Sequence, residues 1–465
     1  MKVVAISFSG QSEEFVNSLR SLEFLDEFYI ASSSKNKNAN DQNFNKINAK
    51  EFIQKHWAKI DLFLFVGSIS ATVRLISPLL ISKEEDPGVI VIDKKFSKII
   101  PLIGIHQTVC KEIALKLANL FNGDLVMTNN SIFEKSLDLD AFGRNWGWDR
   151  SGLMKHWSDL VIKQSNKQQI FVKQYSGNKV WKESESGKKI KSLSNKEKVE
   201  KEENTFFIST KNHHRVAWHP STLWVGIGCE RNTSAEFIED CLNKLLLKYE
   251  LSSSSIAGLA TIDIKKDEKA LIDITNAKNW PIKFFNNEEL HAVNVPNPSK
   301  IVFKEIGTFS VAEASSLLAC GDEGGHLLIE KNIFKHKDPS GRNLGAVTIA
   351  IAESKQQFAP QRGFVHVIGS GPGDLSYLTS ESKAALSQCS VWIGYKRYLD
   401  LLNPLKRDDQ VIINSELTQE KQRCLDAISL AQQGIKVALI SSGDAGIYGM
   451  AGLLIELIQK LDFQF

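Results

Sequence analysis

Residues 367–386 read VIGSGPGDLSYLTSESKAAL: an apolar run, a loop holding three glycines, and then a helical pattern. A strand that empties through a glycine turn into a helix is the repeating unit of an open α/β sheet. The figure recurs at VWIGYKRYLDLL (391–402) and at KVALISSGDAGIYGMAGLLIEL (436–457). Three such loops after successive strands predict one rim at the carboxyl ends of a sheet, where α/β folds take ligands. Gly369, Gly371 and Gly373 let backbone N–H groups approach a ligand closely, and Pro372 stiffens the loop between them. The following helix is expected to add its positive dipole end. Asp374 is expected either to cap that helix or to accept hydrogen bonds from ligand hydroxyls. Taken alone, the first loop fits a plain strand-to-helix turn equally well.

The rest of the chain carries the same alternation. KVVAISF, LFLFVG and GVIVID read as strands, and HQTVCKEIALKLANLF as a helix, so residues 1–145 predict a parallel sheet covered on both faces. Residues 146–215 predict a small, Trp-rich middle domain with a charged linker. Within it, KESESGKKIKSLSNKEKVEKEEN (182–204) is nearly all Lys, Glu and Ser and predicts a solvated loop or partly disordered insertion. Residues 216–354 form a second α/β unit, 354–362 a linker, and 363–465 a third unit. The fold class is therefore several open α/β domains in series.

Composition excludes more than it assigns. A net charge of +3 among 57 basic and 54 acidic residues gives no reason to expect nucleic acid or an anionic membrane as partner. The six cysteines form no CxxC pair and no zinc spacing, so no protein-borne metal is expected. The first residues lack a signal-peptide pattern and no apolar run approaches a membrane span, which implies a cytoplasmic protein.

The three loops together carry a resemblance. GSGPGD, GYKRYLDLL and SSGDAGIYGMA are similar to the tetrapyrrole methylases, in particular those that methylate precorrin-3B at ring carbon 17. The resemblance covers about 363–465. It implies S-adenosylmethionine as methyl donor, a precorrin or cobalt-precorrin macrocycle as substrate, and a cleft between two α/β domains. It assigns Gly369, Gly371, Pro372, Gly373, Asp374, Ser442, Gly443, Asp444 and Tyr448 to that cleft, and implies a homodimer. The family's second domain does not follow, so the last unit reads as a truncated first half with little methyl transfer by itself. Tyr395 and Tyr398 are candidates for lining a large flat ligand.

Residues 61–106 and the stretches VGIGCERNTSAEFIE, LATIDIKKDE and PNPSKIVFKEIGTFSVAEASSLL resemble the cobalt-precorrin-5A hydrolases, which open a lactone on the macrocycle. Gly226, Gly228, Cys229, Arg231 and Thr233 keep that family's loop, apart from Glu230. A second loop departs from it: His106 remains, but Ile105, Thr108 and Val109 stand where glycines are expected, and Ser70 replaces another before the helix bearing Arg74. His106 is assigned to the macrocycle or its lactone, or else to a structural cap; Arg74 and Arg231 to substrate carboxylates, or else to ordinary ion pairs or helix starts. Asp263, with Lys265 two residues on, is expected to share one strand face and to serve as base, against a solvated strand end. The Phe284–Phe285 pair reads as core, against a stacking platform for the macrocycle. Two alternatives stand beside the enzyme: a hydrolase part that is a non-catalytic corrinoid-binding scaffold, or a truncated, inactive remnant.

Overall fold

The computed structural model describes residues 2–8, 24–31, 46–82, 85–104, 108–121, 123–126, 136–194, 202–337, 340, 343–447 and 449–460. The chain divides into two compact units, Met1–Ile132 with Thr379–Ala384, and Phe133–Leu378 with Ala385–Phe465.

In the first unit, VVAIS, LFLFV and GVIVI are apolar at nearly every position, which suits strands buried on both faces. They form β1 (Val3–Ser7), β4 (Leu62–Val66) and β5 (Gly88–Ile92), every residue buried. Beside them run β2 (Glu27–Ala31), β3 (Lys46–Ile47), β6 (Lys98–Ile103) and β7 (Asp124–Leu125), in the order β3-β2-β1-β4-β5-β6-β7. The expected parallel sheet has one exception, the antiparallel β5–β6 pair. Alternate residues serve opposite cores. Val3, Ala5, Leu64 and Val66 meet α3 (Thr108–Leu120); Val4, Ile6, Phe63 and Phe65 meet α1 (Ala49–His56) and α2 (Ile69–Ile76).

Among the described residues the second unit holds three sheets. The first holds β8 (Asp149–Ser151), β9 (Phe171–Gln174), β10 (Lys191–Ser192), β11 (Thr205–Ile208) and β12 (Ala217–His219), ordered β10-β9-β11-β12-β8. Its tryptophans are core: Trp148, Trp157 of α4 (Met154–Ser165), Trp181 and Trp218 are buried, with Phe142 edge-on to Trp148 and Trp218. The expected solvated run is corrected over its first half. Ser184 and Ser186 are buried, Ser184 Oγ donates to Trp181 O, and the chain goes on to pair β10 with β9. Small Ser and Gly residues fit tight turns beneath Trp181, which a count of charges does not register. Residues 195–201 lie outside the described residues.

His213 stacks on Phe207 at 4.1 Å in this sheet, and burial first, then the charges of His219 and His214, push its pKa down to about 4. The unfolded chain binds this proton at higher pH than the folded one, so the stability it implies is complete above the ordinary histidine range and lost as pH falls toward 4. Replacing His213 by Phe should flatten the fall in melting temperature between pH 6.5 and 4; an unchanged slope would refute this.

The second sheet holds β13 (Leu223–Cys229), β14 (Ile256–Ile262), β15 (Ile282–Phe285), β16 (Gly325–Lys337) and β17 (Asn343–Ser354), ordered β15-β14-β13-β17-β16. The β13, β14 and β15 strands are parallel; β17 runs against β13 and β16. Helices α5 (Ala235–Lys248), α6 (Lys269–Lys278), α7 (Asn287–His291), α8 (Lys300–Ile306) and α9 (Ala312–Ala319) accompany it. Buried Glu313 of α9 accepts from Asn297 Nδ2 and from the Lys331 backbone N–H, tying a loop and strand β16 to the helix.

The third sheet holds β18 (Phe364–Gly369), β19 (Val391–Tyr395), β20 (Val411–Ser415) and β21 (Lys436–Ser441), all parallel, ordered β18-β21-β19-β20. Helices α10 (Ser380–Gln388) and α11 (Lys396–Leu402) bury Leu386, Leu399 and Leu402 with Trp392, Ala438 and Ile440 of one face. Helix α12 (Glu420–Gln432) buries Cys424, Ala427 and Ile428 with Val391, Ile393, Val437 and Leu439 of the other, and α13 (Ala451–Lys460) joins α12 there.

The boundary expected at residue 145 does not describe the packing. Leu137 and Leu139 already belong to the tryptophan core, and that core is continuous with the α12 face of the third sheet. The junction lies at the amino ends of the strands. Ser390 Oγ, just before β19, donates to Asn145 O, and the Ser186 N–H donates to Asp408 O, just before β20. Gln357, in the expected linker, is 2 % exposed. Its Oε1 accepts from Trp148 Nε1 at 2.7 Å and from the Asn178 N–H at 3.0 Å. Its Nε2 donates to Trp146 O at 2.7 Å and to Gln433 O at 2.6 Å.

Candidate functional site

At the carboxyl ends of β18 and β21 the two glycine loops bond to each other. The Gly371 N–H donates to Gly443 O and the Gly443 N–H to Gly371 O, both at 3.1 Å. Gly371 has φ +62° and Gly443 φ +60°, the left-handed region that glycine enters without penalty. A Cβ added at Gly443 would meet nothing within 4 Å, and one at Gly371 only Tyr377 O at 3.9 Å. The paired loops thus face open space. At Gly369, by contrast, a Cβ would lie 2.3 Å from Gly443 O, so that glycine permits the loops to touch. Ser441 Oγ, at the root of the third loop, is buried and has no hydrogen-bond partner.

Around this pair the other candidates take unequal places. Asp374 is exposed; its Oδ1 accepts from the Ser376 N–H and hydroxyl, and these bonds hold its carboxyl below the usual range. It caps a 3-10 turn at Leu375–Tyr377, and α10 begins only at Ser380, which corrects the expected helix start at the loop. Asp444 Oδ1 accepts from the Gly446 N–H. Pro372 and Ser442 are exposed, and Gly373 lies near Leu401. Tyr395 ends β19, next to β21, so it stands on the same rim; its ring meets Tyr398 edge-on at 5.4 Å. Tyr448 lies outside the described residues.

A second rim, at the ends of β13 and β14, is an ion-pair lattice. Arg231 donates to Asp267 Oδ1 at 2.5 Å and to Ile264 O at 2.7 Å. Glu268 accepts from Lys265 Nζ and from the Asn232 N–H, both at 3.1 Å. Arg231 therefore braces the loop. Asp263 and Lys265 do not share a strand face: β14 ends at Ile262, and a 3-10 turn aims Lys265 inward at Glu268 while Asp263 stays half-exposed. Burial pushes the Cys229 thiol up to about 11, so it stays protonated at neutral pH. Glu268 was legible only as one more acid in a charged stretch; its partner across the rim is not encoded by spacing.

In the first unit, Arg74 is exposed in the last turn of α2 and makes no ion pair with the described residues. His106 lies outside the described residues. Among the described residues no cluster of His, Cys, Asp and Glu could hold a metal ion, and no helix is long and apolar enough to cross a membrane.

Comparison with known proteins finds matches over three separate stretches. Residues 51–131 match the family described as cobalamin synthesis G N-terminal, 223–352 cobalamin synthesis G C-terminus, and 365–465 tetrapyrrole (corrin/porphyrin) methylases. A cobalt-precorrin-5A hydrolase of Priestia megaterium is 29% identical over 304 residues, 62% of this chain and 77% of that protein. A probable cobalt-factor III C(17)-methyltransferase of Salmonella typhimurium is 51% identical over 100 residues, 21% of this chain and 41% of that protein. The chain thus spans about two fifths of that methyltransferase. Among solved structures, a putative cobalamin biosynthesis protein G homolog from Sulfolobus solfataricus is 22% identical, with TM-score 0.28, covering 76% of this chain and 97% of that one.

Proposed function

Because this chain is a cobalamin-synthesis fusion, with G-type regions followed by a tetrapyrrole methylase region, we propose that its glycine rim holds S-adenosylmethionine beside a cobalt-precorrin or precorrin macrocycle. In this reading the methylase region serves methylation of ring carbon 17 with ring contraction. The G-type regions serve lactone opening on the same class of macrocycle.

The observation that carries the reading is the Gly371–Gly443 pair, two loops clasped by reciprocal backbone bonds with open space where side chains would stand. The donor fits it: a polar sulfonium nucleoside that needs close backbone approach, with the unpartnered Ser441 Oγ at the root of the loop. S-adenosylmethionine supplies an already activated methyl group on sulfonium. What remains for the chain is to bind, orient and exclude water. Asp374 and Asp444 each commit one oxygen to a turn, which fixes the carboxylate and leaves the other oxygen toward solvent for donor hydroxyls or the amino group. Tyr395 and Tyr398 offer an aromatic wall to a flat ring. On the G-type rim, this reading has half-exposed Asp263 take a proton from an attacking water. Neither the scaffold nor the remnant reading is favoured by the relatives.

Titration of the chain with S-adenosylhomocysteine by calorimetry tests the donor site. Saturable binding is expected, weakened at least about tenfold (about 1.4 kcal/mol) by Gly443→Val, which both fills the open space and strains the left-handed turn. No binding, or binding indifferent to this substitution, would overturn the reading.

A further inference from the structure

The hairpin of β16 and β17 runs on past the rim where β13 ends. Cys229 closes β13 opposite Val347, while the hairpin continues to the Lys337–Asn343 pair. Gly228 pairs with Thr348 and Thr348 with Ile333; two residues farther out, Ala346 pairs with Lys335. Paired residues share a sheet face, and every second residue returns to it. Gly228, Thr348, Ile333, Ala346 and Lys335 therefore lie on one face, with Lys337 next along the strand. It is the α9 face, because a Cβ at Gly226 would strike Ala312 O and one at Gly228 would touch Val311. Helix α9 begins only at Ala312, and the face opens there. Ile333 is 61% exposed, Lys335 and Lys337 are exposed, and Gly228, Ala346 and Thr348 are half-buried.

The opposite face holds the hairpin in place. Phe334 packs against the core beneath α5, and His336 stacks on Phe237 of that helix at 4.5 Å. Alternation then sets Lys335 and Lys337 on the open face, about 7 Å apart along the strand. Neither makes an ion pair with the described residues, whereas Lys331 of the same strand donates to Asn297 O. Lysines on an edge strand also guard against stray strand pairing. That role alone leaves the shelf of small residues beside them without a purpose.

We propose that this shelf seats the macrocycle on which the G-type regions act, its ring lying over Gly228, Thr348, Ile333 and Ala346 and two of its peripheral carboxylates on Lys335 and Lys337. Charge and shape select the occupant. A tetrapyrrole ring rimmed with carboxylates needs a shallow floor without large side chains, one apolar contact and cations held to one side. Because the hairpin is fixed from its other face, little freedom is lost when the ligand arrives. The inference rests on the reading that the G-type regions act on this macrocycle, and it names the side chains that recognise it.

The test uses the full chain and uroporphyrin, a flat tetrapyrrole polycarboxylate. Lysines are acetylated with a water-soluble reagent and counted by mass spectrometry. Uroporphyrin is expected to protect Lys335 and Lys337 and to leave Lys244 and Lys248, exposed on α5, labelled as before. The concentration that half-protects Lys337 should rise at least about tenfold in Ile333→Glu, which sets a negative charge on the floor. It should rise several-fold in Lys335→Gln and stay the same in Lys335→Arg and Lys244→Gln; circular dichroism checks that each variant keeps the native sheet. Equal shifts in Lys335→Gln and Lys244→Gln would reduce the effect to general charge attraction and overturn the proposal. A Lys335→Gln chain that self-associates while Lys337 stays protected as before would make these lysines edge guards and overturn it too. Protection elsewhere on the second sheet but not on the hairpin would overturn the shelf and keep the G-type reading. Protection nowhere on that sheet would overturn the G-type reading and the shelf with it.

Discussion

Replacing Gln357 by leucine is expected to lower the melting temperature of the second unit by about 10 °C. The side chain is buried, and its amide makes four bonds, to Trp148 Nε1, the Asn178 N–H, Trp146 O and Gln433 O. Leucine has nearly the same volume but satisfies none of them. Each abandoned buried group costs on the order of 1 kcal/mol or more, about 4 kcal/mol together. Glutamate in its place keeps an acceptor for Trp148 and Asn178 but sets a carboxylate against Trp146 O and Gln433 O, so it should be no milder. Two thermal transitions in place of one would identify Gln357 as the clasp between the tryptophan core and the third sheet. An unshifted single transition in either variant would show that the apolar contacts hold that junction unaided.

Gly226→Val is expected to cost more still, and Gly228→Ala, two residues on in the same strand β13, almost nothing. A Cβ at Gly226 would lie 1.8 Å from Ala312 O, so α9 would have to lift off β13. Helix α9 is nearly all buried, with Glu313 anchored in it, and cannot shift without breaking those bonds. A penalty of about 3 kcal/mol or more, or failure to fold, follows. At Gly228 the new methyl would meet Val311 Cβ at 3.5 Å, ordinary contact, and a change within about 0.5 kcal/mol is expected. Paired chemical-denaturation curves decide it. Equal effects at the two positions would mean that the close approach at Gly226 is not what fixes the helix.

That contrast shows where sequence reading reaches its limit. Both glycines read alike as members of a family loop, yet one serves helix packing and the other has room for a side chain. Runs with an unbroken apolar pattern, such as LFLFV and VVAIS, became the strands they predict, because burial on both faces leaves no other solution. The glycine loops of the third sheet were legible too, since a left-handed backbone is written in the residue type. Partners distant in the chain were not. For Arg231 the substrate and structural readings stood side by side, because nothing local reveals Asp267 and the Ile264 carbonyl across the rim. Asp263 and Lys265 read as strand neighbours because the end of β14 at Ile262 is set by the ladder with β15, not by its own composition. Gln357 sat in a stretch that looked like a tether. Its contacts lie 76 to 211 residues away, beyond any motif.

The tryptophan core and the third sheet share one interior, and the glycine loops stand at the far end of that sheet's strands. A recombination event that swapped either partner for a relative's version would have to match a buried seam, not a tether, so the two are bound to accumulate mutations in step. Scissors applied between Ser354 and Arg362 would not yield two well-behaved pieces; each would emerge with a greasy flank, while the ligand-facing end would look untouched.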